Sequence, residues 1–164
     1  MIIIGLIFVF TFVLPAVNIF MLRAFGNIQS LTLPSRQERI LPFVFISLLY
    51  VLVTFLFYFK LPFSANFNKL LVIISALAVV SLVITFFYKI SIHSVAMCGG
   101  IGILLPLNQV TEQMSLLWPT AFTILAAGLV MSSRLVLDAH APHEVMYGGV
   151  VGFIVGFFGM IILF

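Results

Sequence analysis

Cysteine occurs once, at Cys98, so no disulfide can close within the chain and no cysteine-rich metal site can be assembled. Charge is nearly as scarce. Seven Lys and Arg with four Asp and Glu make up 7% of the residues, where a soluble domain carries roughly a quarter. A chain this poor in charge cannot clothe a water-facing surface, which excludes a soluble globular protein. Its net charge of +3 is small and scattered, which excludes a nucleic-acid partner that would have to be held by many phosphate contacts. Low-complexity tracts and long linkers are also missing, and the one sizeable polar loop runs from Arg23 to Arg39.

What fills the chain instead is apolar. Hydrophobic residues are 64% of the total and the mean hydropathy is +1.37. A membrane crossing takes about twenty apolar residues, so the chain has room for six helices and little else. The hydrophobic runs place them at Met1–Leu22, Ile40–Phe59, Leu70–Tyr88, Ser94–Val110, Leu117–Leu137 and Val145–Phe164. The first lacks the basic start and small-residue cleavage site of a signal peptide and reads as a membrane helix. The expected fold class is an all-α integral membrane protein, a bundle of six transmembrane helices forming one domain over residues 1–164. Glycines 148, 152 and 156 recur every four residues in the last span, and Ala96/Gly100 with Cys98/Gly102 repeat that spacing in the fourth. Such small-residue faces let helix backbones approach closely, which predicts that spans four and six pack together. Cys98, in the middle of that apolar run, reads as a packing residue.

Loop parity in a six-helix chain sorts the ionisable residues. Arg23, Arg36, Glu38, Arg39, Lys89, His93, Arg134, Asp138, His140, His143 and Glu144 fall on one face, while Lys60, Lys69 and Glu112 fall on the other. Basic residues alone would mark that crowded face as cytoplasmic. Histidines and acids gather there too, and ionisable groups at a membrane mark a site or pathway more often than decoration.

The densest cluster is Ser133-Arg134, five residues, His140, three residues, Glu144. Arg134 offers a planar donor fork that suits phosphate oxygens. His140 can act as base or nucleophile near neutral pH. Glu144, four positions on, shares its helical face and can hold the second ring nitrogen. Upstream on the same face, Lys89-Ile90-Ser91-Ile92-His93 opens the fourth span, where a helix N-terminus offers free N–H groups to an anion. His143 and Asp138 read as rim and helix-capping or interfacial residues.

The first cluster resembles the third signature of the type 2 phosphatidic acid phosphatase superfamily, Ser-Arg, five residues, His, three residues, Asp, with Glu144 at the position of the acid. The second resembles that family's Pro-Ser-Gly-His, keeping Ser91 and His93. The family's first motif, Lys, six residues, Arg-Pro, has no counterpart. The nearest cations on the correct face are Arg36 and Arg39, in the loop before the second span. The chain looks like a short, divergent bacterial-type member, with the resemblance carried by residues 89–144.

The resemblance implies a membrane-embedded hydrolase of lipid phosphates or diphosphates that works without metal or other cofactor. His140 is then the nucleophile, Glu144 its orienting acid and His93 the proton donor to the leaving group. Arg134, Ser91, Lys89, Arg36 and Arg39 would bind the phosphoryl oxygens. It also implies membrane lipids as surroundings and a multi-pass inner-membrane location, with the site on the periplasmic or outer face. Two other classes stay open: a non-catalytic descendant that binds lipid phosphate or a partner protein, and a proton-coupled transporter. Charge crowded at one membrane boundary, rather than near midplane, weighs against the transporter.

Overall fold

A computed structural model of the protein describes residues 5, 8–26, 35–60, 63–110 and 116–164. Met1 and Glu112, used above for the first span and the second face, lie outside the described residues. The architecture is all-α. A π-helical stretch, Val9–Val13, runs into α1 (Leu14–Ala24), followed by α2 (Arg36–Lys60), α3 (Ala65–Phe87), α4 (Ile92–Val110), α5 (Leu117–Val136) and α6 (Pro142–Leu163). The π stretch has a local cause. Pro15 has no N–H to continue a regular ladder, and the Leu14 N–H reaches back five residues to the Val9 carbonyl.

Helices α2, α3, α5 and α6 are long and apolar enough to cross a membrane, whereas α1 and the apolar stretch Ile92–Asn108 of α4 are shorter. Phe122, Leu125 and Leu129 of α5 are each at least 69% exposed. Apolar surface of this kind is excluded from water and suits lipid. Four such helices make the pattern of a multi-pass integral membrane protein, and the six helices follow the order read from the hydrophobic runs.

Helix ends depart from that reading because hydropathy marks apolar runs, whereas caps carry helices further. Ser64 caps α3 by accepting from the Phe67 N–H at 3.3 Å, so the helix starts at Ala65 rather than Leu70. Pro142 opens α6, its missing N–H costing nothing in the first turn. Residues 36–39, expected in a loop, form the first turn of α2.

The core is the pair α4/α6, which run parallel because both start at the same end of the bundle. A methyl group on Gly148 would stand 2.6 Å from the Ser91 carbonyl oxygen, and one on Gly152 or Gly156 would strike the Val95 or Gly99 carbonyl. The predicted small-residue packing of these two helices is thus present, with Cys98 inside it, its Sγ 3.7 Å from Met131 Sδ. Helices α2 and α3 join differently, through hydroxyls. Thr54 Oγ1 and Ser75 Oγ are 2.6 Å apart, Ser75 donates to the Tyr50 carbonyl at 3.0 Å, and Ser47 donates to the Ala78 carbonyl at 3.1 Å. Such bonds hold helices together where apolar contact alone gives no preference over lipid.

Candidate active site

The end of α5 sets the position of His140. Asp138 adopts a left-handed backbone, φ +48°. Its N–H bonds to the Leu135 carbonyl, and that of Ala139 to the Arg134 carbonyl at 3.1 Å. These are the two bonds of a Schellman ending, with Asp where glycine is usual. Asp138 therefore ends a helix through its backbone. The His140 N–H also bonds to the Arg134 carbonyl, at 3.3 Å, tying the imidazole-bearing residue to the arginine six positions before it.

Glu144 lies in the first turn of α6, and its Oε2 collects three donors. His140 Nδ1 is 2.7 Å away, the Ala141 N–H 3.3 Å and Lys89 Nζ 3.4 Å. The Ala141 bond is half of a capping box, alanine having no side-chain acceptor to return the favour. A carboxylate facing Nδ1 puts the ring proton there and leaves the lone pair on Nε2. Arg39, buried in the first turn of α2, presents Nη1 at 3.3 Å from that Nε2 and 3.5 Å from the Ile90 carbonyl. His140 and Glu144 are both buried. Burial lowers the His140 pKa from its ordinary value; its hydrogen bond to Glu144 opposes this, and the Arg39 and Lys89 cations add to the lowering. A neutral imidazole with its lone pair on Nε2 can act as a nucleophile or base once that lone pair is free.

The start of α4 is tied to the same place by the Ser91 N–H, which bonds to the Glu144 carbonyl at 3.1 Å. Ser91 is fully buried, and its Oγ accepts from the Ser94 N–H at 3.4 Å, so it caps α4. His93 is exposed and feels the charges of Arg134 and Arg39; among the described residues no hydrogen bond is recorded for its ring. Arg134 Nε is buried and without a hydrogen-bond partner among the described residues, an arrangement that calls for an explanation in a folded protein. Arg36 stands further out, donating to the Phe86 carbonyl at 2.6 Å at the end of α3. His143 sits at the rim, its ring 6.0 Å from that of Tyr88.

Of the residues singled out in the sequence, His140, Glu144, Lys89 and Arg39 are in direct contact. Arg134 and His93 share their surroundings electrostatically, Ser91 lies beneath, and Arg36 is bound to a helix end. The Lys89–Glu144 pair and the Arg39–His140 contact were not readable as pairs, since each joins distant segments; the presence of Lys89 and Arg39 on the crowded face was the only signal. Lys69 belongs to the other end, 4.9 Å above the Phe164 ring at the close of α6. No group of three His, Cys, Asp or Glu able to hold a metal ion occurs among the described residues.

The helical membrane architecture and a buried arginine–histidine–carboxylate cluster define a multi-pass membrane protein with ionisable side chains gathered at one end of its bundle. The PAP2 superfamily model matches residues 86–164. The protein thus carries a PAP2 superfamily domain, spanning α4 to α6, which relates it to a family of phosphatases. Comparison with curated proteins and with solved structures gives no match.

Proposed function

We propose that the protein hydrolyses lipid phosphates or diphosphates by double displacement at His140. The observation that carries this reading is the clamped imidazole, Nδ1 on Glu144 at 2.7 Å and Nε2 facing Arg39 at 3.3 Å, inside a PAP2 domain. The Nε2 lone pair attacks phosphorus and the bond to the departing alkoxide breaks, while His93 gives that oxygen a proton. Glu144 stabilises the imidazolium that forms at His140. In the second step His93 takes a proton from water, the hydroxide attacks phosphorus, and the phosphorus–nitrogen bond breaks to regenerate His140 and release phosphate.

Arg134 and Arg39 hold the phosphoryl oxygens and offset their charge in the transition state. Arg39 comes from α2, outside the matched domain, and supplies a cation that the absent first motif does not. Lys89 acts one step back, through Glu144. Ser91 and Arg36 contribute less directly, Ser91 by fixing the start of α4 and Arg36 by adding positive charge at the approach. No metal or cofactor enters either step. All six helices cross the bilayer in this reading, with the site at headgroup level on the outer face.

The missing first motif favours a second reading, a non-catalytic binder of lipid phosphate. Phosphate release from a panel of lipid phosphates by purified protein, against a His140→Ala control, separates the two. Release that depends on His140 supports hydrolysis, and tight binding without release supports the binder.

A further inference from the structure

Helices α2 and α4 stand apart: no Cα of one comes within 8 Å of a Cα of the other. The gap, floored by α3, is a cavity of about 360 Å³. Phe43 and Tyr50 line it from α2, Leu77 and Ala78 from α3, and Ala96 and Gly100 from α4. Its upper end is Ile92, between Ser91 and His93, and Phe43 stands one helical turn below Arg39. Ile103 lines its lower part.

The small residues of α4 are therefore divided between two faces. Gly102 meets α6, as the sequence spacing predicted, and Gly99 lies between Leu77 of α3 and Gly152 of α6. Ala96 and Gly100 do not meet α6: Ala96 is exposed, and a methyl on Gly100 would find only Thr123 Cγ2, at 3.8 Å. Gly100 thus borders α5 rather than α6, and Ala96 stays exposed, so this part of α4 leaves room beside α2 and does not serve the α4/α6 contact.

We propose that this groove holds one acyl chain of an anionic lipid phosphate whose headgroup sits at Arg39, His93 and Arg134. The inference rests on the phosphate site proposed above and names what lies beneath it. Arg39, one turn before Phe43, and His93, next to Ile92, border its upper end, and its walls are apolar, the complement of an anionic amphiphile. Ile92 to Ile103 spans about 16 Å at the rise of an α-helix, close to one leaflet of a hydrocarbon core about 30 Å thick. A long chain entering at headgroup level fills that length, and a short one leaves its lower half empty.

The test uses the whole protein in phosphatidylcholine nanodiscs with a trace of lipid phosphate carrying a diazirine at the end of a long acyl chain. After illumination, adducts are mapped by mass spectrometry. Labelling is expected on Leu77, Gly100 and Ile103, competed by unlabelled lipid phosphate but not by added phosphatidylcholine. Gly100→Leu should lower the competable labelling about tenfold, the equivalent of about two buried methylenes, and move the remaining adducts toward Phe43 and Ile92. Ala96→Leu, at an exposed position lining the same groove, should act in the same direction. Groove labelling no more competable than that of Phe122 and Leu125 on the outer face of α5 overturns the proposal, as does labelling indifferent to both substitutions. Competable groove labelling without phosphate release upholds the groove and refutes hydrolysis, so the two readings fail separately.

Discussion

The Arg39 guanidinium and the His140 imidazole meet at 3.3 Å, Nη1 to Nε2, across 101 residues of sequence. With Nδ1 engaged by Glu144, this contact puts a cationic donor on the nitrogen that would attack phosphorus. Phosphoryl oxygens are better acceptors for a guanidinium than a neutral imidazole is. In the proposed reaction a bound substrate would draw Arg39 onto itself and free the lone pair it was covering.

Arg39→Ala should therefore lower kcat/KM for a lipid phosphate by about a hundredfold to a thousandfold, the usual loss when a transition-state donor is removed. Arg39→Lys should recover only part of this, keeping the charge but losing the planar fork. Steady-state phosphate release measures both, with the thermal midpoint as a check on folding. Wild-type activity in Arg39→Ala would mean that the phosphate clamp is built without Arg39.

The acid side of the pH profile reports His140. Its pKa is lowered by burial and by the Arg39 and Lys89 cations, against the hydrogen bond and charge of Glu144. A nucleophile works only unprotonated, so the acid limb of kcat/KM should lie below the free imidazole value of about 6.5. The charged groups facing the ring are Arg39 from α2, Lys89 from the α3–α4 connection and Glu144 from α6. Lys89→Met removes a cation that disfavours the imidazolium, so its limb should move to higher pH. A limb that stays in place would show that the Lys89–Glu144 pair does not reach the nucleophile.

Legibility in the sequence followed distance along the chain. His140 and Glu144 are one helical turn apart, so their contact is nearly dictated by the i, i+4 geometry of a helix start. The glycine stripe 148, 152, 156 was legible for the same reason. Arg39 and Lys89 could be assigned to a face but not to a partner, because helix packing, not local spacing, brings them to His140 and Glu144. The Schellman ending at Asp138 was hidden by the lack of the glycine that normally marks it. Ala96/Gly100 and Cys98/Gly102 looked alike in spacing, and only the placement of α6 distinguishes a packed small face from an open one.

Stability should separate two glycines that look alike in sequence. A methyl at Gly152 would strike the Val95 carbonyl, a backbone atom that cannot turn aside, whereas Gly128 has nothing within 4 Å of that position. Gly152→Ala should cost about 1–3 kcal/mol, the range of overpacking, and lower the thermal midpoint in detergent. Gly128→Ala should be neutral or stabilising by up to about 1 kcal/mol, since alanine restricts the unfolded chain. Equal midpoints for the two variants would contradict the close α4/α6 approach.

Topology is open to cysteine labelling, because Cys98→Ala removes the native thiol. Cysteines placed singly at Gln37 and Ala141 should react with an impermeant reagent from the same side, since α2 and α6 both begin at the site. A cysteine at Asn66, in the first turn of α3, should react from the opposite side. With the site on the outer face, positions 37 and 141 label in intact cells and position 66 only after permeabilisation. Labelling of 37 and 66 from one side would sink the arrangement in which α2 crosses the bilayer.

The chemistry itself leaves a trace that no metal-bound water would leave. If the His140 imidazole is the nucleophile, turnover persists in excess chelator and the intermediate contains a phosphorus–nitrogen bond. Label from a radioactive lipid phosphate should then survive an alkaline quench and be lost in brief acid. Vanadate should inhibit, because it takes up the trigonal-bipyramidal geometry of the transferring phosphoryl group and the same arginines hold it. His140→Ala should abolish labelling and turnover together. His93→Ala should keep labelling with substrates whose leaving group needs no proton, because it removes the acid and spares the nucleophile. Turnover that survives in His140→Ala, or that stops in chelator, excludes attack by this imidazole.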